Sequence, residues 1–382
     1  MKTLVLTYLL ILGSVFSGSS QATINNVKYV RINMHFMLRS DGTGNFTETS
    51  DGDGRGYTGY QYAMDHVRRM NYYQGWNEPA NIPKNNSILQ LSKNYYYILN
   101  SVHFHRNSNT YYLYDENYTL NGIDKTNVMN IFISHSSLDD IPTVDLNTTG
   151  EPGGFAADLS INGKNKYTGL KDFWTHYRCI LKFGLPMDWH LHATAATSIH
   201  ETTHLMTLYH TVLYNGGGKC PVACGTSDQN RSIDYNCDDH CSDTPTAWEI
   251  ARDPNNLACT HPACGWGTSG TPWCSSNVMD YGGGNTLTPC QLNLVHTALE
   301  GGMRTYLSCE AVKQDMSYCD IGYPYISYFG KNVNIGGCSN QLADVTNREV
   351  LAAYFSESLD LQNFEVRTDS EFDVIYQPEC PF

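Results

Sequence analysis

The sequence predicts an α/β (α+β) fold in which helices pack on a mixed sheet, followed by a small disulfide-rich β segment at the C-terminus. Apolar and polar residues alternate over 30–38, which is the period of a strand with one buried face. Residues 128–133 form an almost continuous apolar run, typical of a buried central strand. Between these runs, apolar residues recur at helical spacing over 60–70, so we expect a helix against the sheet.

The N-terminus has the pattern of a secretory signal. Met1 and Lys2 give a short basic start, a hydrophobic run covers 4–16, and small residues follow up to Ala22. The run is too short to span a bilayer, and no second long apolar run follows it. We expect a signal peptide over 1–22, no transmembrane segment, and an exported protein that is secreted, periplasmic or held at the cell surface.

The net charge of the chain limits the classes of molecule that it is expected to bind. The chain has 382 residues, enough for a large core, and its 24 basic and 38 acidic side chains give a net charge of −14. Such a chain is a poor match for the phosphates of nucleic acid, so no nucleic-acid partner is expected. The acidic excess is explained by solubility or by calcium binding, and both explanations stay open. The sequence does not give the oligomeric state.

Further elements follow in order along the chain. Thr58 is the expected N-cap of the first helix, which ends near Gly75. Strands are predicted at 95–105 and 111–114. Within the first of these, His103 and His105 alternate with apolar residues, so we expect both on the solvent face of the strand.

The thirteen cysteines all lie at or beyond Cys179, which in an exported chain indicates disulfides. The alternative for the two Cys-x-x-x-Cys pairs, at 220–224 and 237–241, is a second, structural zinc site. An odd number leaves one cysteine over, and the isolated Cys179 is our choice. The connectivity is left open.

Residues 309–382 form a separate compositional unit. They hold four cysteines and short alternating runs at 350–355, 364–366 and 372–376, which predict a β-rich segment. Its role is interpreted as stability or surface attachment. The expected organisation is therefore a signal peptide over 1–22, one large domain over 23–308 and this segment.

The strongest chemical signal is a group of three histidines and one glutamate at 200–210, of which the first two histidines and the glutamate lie on a helix predicted over 188–209. His200 and His204 are four residues apart, so both imidazoles can reach one metal ion from the same helix face. Glu201 lies beside them, placed to act on a metal-bound water. A continuing helix would carry His210 about 9 Å beyond His204, whereas a zinc–nitrogen bond is about 2.0–2.1 Å. The helix must therefore end in between.

If the helix ends between His204 and His210, the motif resembles the His-Glu-x-x-His-x-x-Gly-x-x-His pattern of metzincin metalloproteases. The glycine of that pattern turns the chain toward the third histidine. Thr207 stands at the glycine position, where a β-branched residue costs about 1–2 kcal/mol. Structural zinc binding is worth about 10–16 kcal/mol, so this strain is not expected to displace His210. Downstream, residues 275–281 resemble the Met-turn, with Met279 as the hydrophobic floor under the zinc.

Within the metzincins, the chain resembles the pappalysin, or cytophagalysin, family. The likeness is carried by Leu208-Tyr209-His210-Thr211, Cys220, Ser242-Asp243-Thr244-Pro245, Asn277-Val278-Met279-Asp280-Tyr281, Leu287-Thr288-Pro289 and Gln291. The resemblance includes specific sequence motifs over about 179–304. Over 27–171 it concerns only the expected arrangement of helices and strands. It implies a metzincin-like zincin domain with an upper mixed sheet, an active-site helix, a Met-turn and a disulfide-tied lower half.

The resemblance implies a secreted zinc-dependent endopeptidase that hydrolyses peptide bonds of proteins. Zn²⁺ on His200, His204 and His210 would keep a position for water and lower the pKa of that water to about 7. Glu201 would take the water's proton as a general base and pass it to the leaving amine as a general acid. An edge strand at 155–159 would pair with extended substrate.

Two further roles come from the same resemblance. Tyr281 matches the tyrosine that stabilises the tetrahedral intermediate in some metzincins, and the alternative is an ordinary core tyrosine. Asp243 and Thr244 match a calcium site between the helix and the Met-turn, so Ca²⁺ is the second expected ion. Glycines at 282–284 stand where relatives that prefer arginine carry acidic residues, so we expect no strong arginine preference.

Two alternatives remain open at this point. The first is a catalytically inactive metzincin-like protein that binds or adheres through the same fold, which Thr207 and the C-terminal β segment favour. The second keeps the enzyme but replaces His210 by a downstream carboxylate such as Glu249, and the Met-turn argues against it.

Overall fold

The structure is a computed structural model, and it covers the chain in separate stretches. It describes residues 26–44, 46–49, 58–78, 88–111, 121–133, 155–157, 167–170, 187–209, 241, 243–244, 276–279, 284–318, 326–336, 343–345, 350–362, 364–368, 370–378 and 380. The expected signal peptide over 1–22 lies outside these stretches. Within them, no helix combines the length and the apolar character needed to cross a membrane.

Helices and strands alternate through the first two thirds of the chain, and strands dominate the last third. In chain order they are β1 (Lys28–Leu38), α1 (Gly59–Gln74), β2 (Tyr95–Arg106), α2 (Ser108–Tyr111), β3 (Met129–Ile133), β4 (Phe155–Ala157), β5 (Tyr167–Leu170), α3 (Met187–Leu205), α4 (Pro289–Glu300), α5 (Ser308–Ala311), β6 (Met316–Tyr318), β7 (Ser327–Gly336), β8 (Ala343–Val345), β9 (Val350–Gln362), β10 (Phe364–Val366) and β11 (Glu371–Tyr376).

The first sheet has five strands in the order β2-β1-β3-β5-β4. Strands β2, β1, β3 and β5 are parallel, and β4 pairs antiparallel with β5 at the edge. The predicted mixed sheet is therefore confirmed. Residue Asn100 interrupts the pairing of β1 with β2. Ile32 pairs with Leu99, whereas Asn33 pairs with Ser101, so Asn100 has no counterpart on β1. This bulge changes which residues of β2 face each side.

One face of the sheet forms the core with α1 and α3. The alternating apolar residues of β1, from Val30 to Phe36, are all nearly inaccessible and belong to the same cluster as Tyr62 of α1 and Ile199 of α3. Each such aliphatic side chain contributes about 1.5–3 kcal/mol when it leaves water. Helix α1 begins as expected at Thr58, whose hydroxyl and Gln61 form a capping box.

The opposite face of the sheet carries hydrogen-bonded polar side chains. The Nε2 of His35 donates to Asn130 Oδ1 at 2.7 Å, so its Nδ1 accepts from His105 Nε2 at 2.8 Å. His103 is only 9% exposed and contacts Ser101 Oγ at 2.7 Å. The expectation that His103 faces solvent is wrong, because this layer of the sheet is itself covered.

The strand expected at 111–114 is wrong at its first residue. Tyr111 ends the one-turn helix α2, which starts after Asn107. The Oδ1 of Asn107 accepts the backbone N–H of Asn109 at 2.9 Å, and its carbonyl accepts the N–H of Tyr111 at 2.9 Å. A side chain that captures a nearby backbone N–H favours a turn over a continued strand. Residues 112–114 lie outside the described stretches.

The C-terminal strands form a four-stranded sheet in the order β11-β9-β7-β6, with all pairs parallel. The runs predicted at 350–355, 364–366 and 372–376 are confirmed as parts of β9, β10 and β11. A disulfide joins Cys309 to Cys380, with Cα atoms 5.0 Å apart. Buried residues on both sides of position 309 belong to one hydrophobic cluster, so the two parts of the chain share a core.

The C-terminal part also touches the edge of the first sheet. The backbone N–H of Ile326 donates to the carbonyl of Asn100 at 3.0 Å, at the bulge of β2. Next to it, the hydroxyl of Ser327 donates to the carbonyl of Leu99 at 2.8 Å. These bonds join the chain just before and at the start of β7 to β2.

Candidate metal centre

Helix α3 ends one residue after His204, at Leu205. The N–H of Leu208 donates to the carbonyl of Thr203 at 3.3 Å, and the N–H of Thr207 donates to the carbonyl of His204 at 2.9 Å. Together these bonds form a Schellman motif, which needs a left-handed residue and usually has glycine there. Thr207 takes that position with φ 74°. The helix ending predicted between His204 and His210 is confirmed, four residues earlier than the predicted helix limit.

His200 and His204 present ring nitrogens to each other. Their Nε2 atoms are 3.1 Å apart. The Nδ1 of His200 donates to the carbonyl of Val278 at 2.6 Å, and the Nδ1 of His204 donates to the carbonyl of Leu208 at 2.7 Å. Because a carbonyl oxygen only accepts, both Nδ1 atoms carry a proton, and a ring that is neutral therefore presents its Nε2 as an acceptor.

Two acceptor nitrogens this close repel each other unless a cation lies between them. Burial lowers the pKa of His200, against an opposing effect of the Val278 carbonyl. Two nitrogen ligands of a tetrahedral zinc with bonds of about 2.0–2.1 Å lie about 3.3–3.4 Å apart. The observed 3.1 Å separation of the Nε2 atoms fits two adjacent corners of such a site.

Glu201 is buried next to the histidine pair. It follows His200 directly on α3 and is 6% exposed. A buried carboxylate normally has a cationic partner or a metal nearby, because leaving water unpaired is costly. The structure therefore brings the ring nitrogens of His200 and His204 together and buries Glu201 on the same helix.

The predicted Met-turn lies against the same helix. Met279 is fully buried and follows Val278, the residue whose carbonyl orients His200. The N–H of Met279 donates to the side-chain oxygen of Asn277 at 2.8 Å, which closes an Asx turn. The N–H of Val278 donates to the carbonyl of Thr286 at 2.9 Å, so the turn is attached to the chain that leads into α4.

Hydroxyl groups on α3 form hydrogen bonds with residues of β2 and α1. Thr202 donates to the carbonyl of Ser198 at 2.7 Å, so its oxygen accepts from the Tyr97 hydroxyl at 2.7 Å. Ser198 itself contacts Nε2 of His66 on α1 at 2.8 Å. Burial lowers the pKa of His66 to about 3, so this ring stays neutral. The rotation of α3 about its axis is therefore fixed by directional bonds as well as by packing.

The residues expected to bind calcium have contacts within the protein. Asp243 accepts from the Thr288 hydroxyl at 2.8 Å and from the backbone N–H of Cys290 at 3.0 Å, at the N-terminus of α4. A carboxylate there also interacts favourably with the helix dipole. Thr244 donates its hydroxyl to the carbonyl of Cys241 at 2.9 Å. Calcium binding at Asp243 and Thr244 stays a prediction.

Cys241 forms a disulfide with Cys290, with Cα atoms 5.6 Å apart. A sulfur in a disulfide does not act as a thiolate ligand, so the alternative of a second zinc site is wrong at Cys241. In the part of the chain that the structure describes, this bond and Cys309–Cys380 support the expected disulfides. Cys179 lies outside that part.

Several predicted roles fall on residues that the structure does not describe. These residues are His210, Tyr281 and Glu249. Their roles as third ligand, intermediate-stabilising group and alternative ligand stay predictions.

Sequence reasoning missed the groups that orient the ligands. The carbonyls of Val278 and Leu208 are backbone atoms, so no residue type marks them. The spacing of Thr288 and Gln291 is that of a capping box and could have been recognised. Its connection to the Met-turn through Asn277 joins residues fourteen positions apart and has no local signal.

Neither a protein-family model nor a curated protein sequence matches this chain. The functional argument therefore rests on the residues and geometry of the site.

Proposed function

We propose that this chain is a secreted zinc-dependent endopeptidase. The observation that carries the proposal is the pair of Nε2 atoms 3.1 Å apart, each belonging to a histidine whose other nitrogen donates to a backbone carbonyl. Histidine ligands in zinc sites are held in this way, since the second hydrogen bond fixes the tautomer and the ring orientation. A buried glutamate directly follows the first of the two histidines.

His210 is proposed as the third ligand. It follows Leu208 by two residues, so its Cα lies at most about 7 Å from that of Leu208. The carbonyl of Leu208 is already in contact with His204 at 2.7 Å. The turn at Thr207 supports the proposal because it ends the helix, and a continuing helix would have carried His210 away.

Zinc at these histidines would polarise the scissile carbonyl and lower the pKa of a coordinated water to about 7. Peptide hydrolysis joins the water oxygen to the carbonyl carbon, breaks the C–N bond and moves a water proton to the amine nitrogen. Glu201 is proposed to accept that proton as a general base and to deliver it to the amine as a general acid. Tyr281 is proposed to stabilise the negative charge on the carbonyl oxygen. Met279 is proposed to form the hydrophobic surface below the zinc.

Protein or peptide substrates are supported by the edge of the first sheet. Strand β4 is the terminal strand, and it packs beside α3. An edge strand can add an extended peptide through main-chain hydrogen bonds, which suits a substrate whose backbone is the reacting group. The edge strand expected at 155–159 is confirmed over Phe155–Ala157.

The alternative of an inactive, binding relative was favoured by Thr207 and by the C-terminal β segment. Because threonine makes the turn with φ 74° and its backbone bonds are formed, this residue no longer favours inactivity. No second function is proposed.

The direct test is Glu201→Gln in the full chain. The variant should keep one zinc per chain, because His200 and His204 are unchanged, and should lose hydrolysis of casein and of a peptide library. Glu357→Gln, an exposed glutamate on β9, is the matched control and should leave both properties unchanged. Equal activity of Glu201→Gln and the parent would remove the catalytic assignment, and absence of bound zinc in the parent would remove the metal site.

A further inference from the structure

We propose that Asn277 and Gln291 act together as positioning residues for His200, an inference that rests on the proposed zinc site. Their side chains form a buried amide pair, in which Asn277 Nδ2 donates to Gln291 Oε1 at 2.8 Å. The Nε2 of Gln291 lies 3.4 Å from Asn277 Oδ1. Both side chains are 0% exposed, so water does not replace either bond.

The Asn277 side of the pair sets the turn that carries the carbonyl contact. Its Oδ1 accepts the N–H of Met279 at 2.8 Å, which fixes the backbone on either side of Val278. The carbonyl of Val278 then accepts from His200 Nδ1 at 2.6 Å. Rotation of the Val278 peptide would move its carbonyl away from His200. That carbonyl keeps the proton on Nδ1 and so leaves Nε2 available to a metal.

The Gln291 side ties the same turn to the start of α4. Its Oε1 accepts the backbone N–H of Thr288 at 3.1 Å in addition to Asn277 Nδ2, and its own N–H donates to the Thr288 hydroxyl at 3.3 Å. One oxygen therefore serves as a helix cap and as the anchor of the Met-turn. The amide orientation is determined, because Thr288 N–H and Asn277 Nδ2 both need an acceptor.

The amide pair would affect the affinity for the metal without contacting the metal. Loss of groups that orient a ligand typically weakens metal affinity about 10–100-fold. The effect should be separable from simple loss of stability, because the amide pair reaches His200 through one identified path, from Gln291 to Asn277 to the Val278 carbonyl.

The chain contains a matched control. Helix α1 begins with the same capping box, in which Gln61 Oε1 accepts the N–H of Thr58 at 2.9 Å. Gln61→Met and Gln291→Met therefore remove equivalent helix caps, but only the second removes a contact with the Met-turn.

Zinc affinity of the full chain, measured by competition with a chelator, is the first readout. We expect Gln291→Met to weaken zinc binding about 10–100-fold, and Gln61→Met to leave it unchanged. The second readout is the Nδ1–H resonance of His200 in zinc-free protein by ¹⁵N NMR, which should broaden or shift only in Gln291→Met.

Parent-like zinc affinity and an unchanged resonance in Gln291→Met would overturn the inference, as would equal weakening by Gln61→Met. If Gln291→Met does not fold, Asn277→Asp carries the test, because it keeps the acceptor for Met279 N–H and removes the donor to Gln291 Oε1. A parent that binds no zinc would overturn the proposed function, whereas the zinc-free resonance would still decide whether the amide pair orients His200.

Discussion

The Nδ1 of His204 donates to the carbonyl of Leu208 at 2.7 Å, across a turn whose residue Thr207 has φ 74°. The bonds that end helix α3 and the bond that orients this imidazole therefore belong to one structural unit. A change that opens the turn would also release the ring, so helix termination and ligand orientation are coupled at His204.

Replacement of Thr207 by glycine should stabilise the protein. The left-handed conformation costs a β-branched residue about 1–2 kcal/mol, and glycine avoids this cost but loses about 0.5–1 kcal/mol through its greater freedom when unfolded. We expect a net gain of about 0.5–1 kcal/mol in the free energy of unfolding, measured by urea titration. Thr197→Gly, the same substitution inside α3, should instead lower it by up to about 1 kcal/mol. A loss at both positions would contradict strain at Thr207.

Asp243 should contribute to stability through helix α4 whether or not calcium is present. Its carboxylate accepts from Thr288 Oγ1 and from the N–H of Cys290, and loss of a capping group costs about 1–2 kcal/mol. We therefore expect Asp243→Ala to lower the unfolding free energy by about that amount in EGTA and in calcium. If calcium binds here, it should raise the melting temperature of the parent and not of the variant, and equal responses of the two would exclude calcium at Asp243.

Acid should destabilise the fold through its buried neutral histidines. Burial lowers the pKa of His66 to about 3, so the folded state keeps this ring neutral while the unfolded chain takes up a proton below about pH 6.5. Stability from His66 is thus complete above that pH and is lost as pH falls toward 3, by about 1.4 kcal/mol per pH unit. Burial lowers the pKa of His103 and of His105 to about 4, and both act in the same direction.

Urea unfolding at pH 7 and pH 5 measures this effect, with His66→Gln as the comparison. Glutamine retains a polar group for Ser198 but does not titrate, so the variant should lose less stability between the two pH values than the parent. An identical loss in the variant would show that His66 is not one of the groups responsible.

Patterns that repeat along the chain were predictable. Alternation located β1, and Thr58 marked the start of α1 because capping uses residues three positions apart. The spacing of His200 and His204 placed both histidines on one helix face, and the distance to His210 required the helix to end. Each of these depends on neighbours within about one helical turn, where sequence and geometry are directly related.

Features that depend on distant pairing were not predictable. The contact from His200 to Val278 joins residues 78 positions apart, and its acceptor is a backbone atom common to all residues. His103 looked solvent-facing because alternation gives the two faces of a strand but not what covers them. The run at 111–114 predicts a strand, but the side chain of Asn107 captures the backbone N–H of Asn109 and starts a helical turn that includes Tyr111.

The bonds from the chain around Ile326 to the bulge of β2 have a consequence for solubility. A terminal strand exposes unpaired N–H and C=O groups that can recruit a strand from another molecule. Here the carbonyls of Leu99 and Asn100 are already engaged by the chain that leads into β7. The C-terminal segment therefore protects this part of the sheet border against self-association, and we expect the chain without it to aggregate more readily.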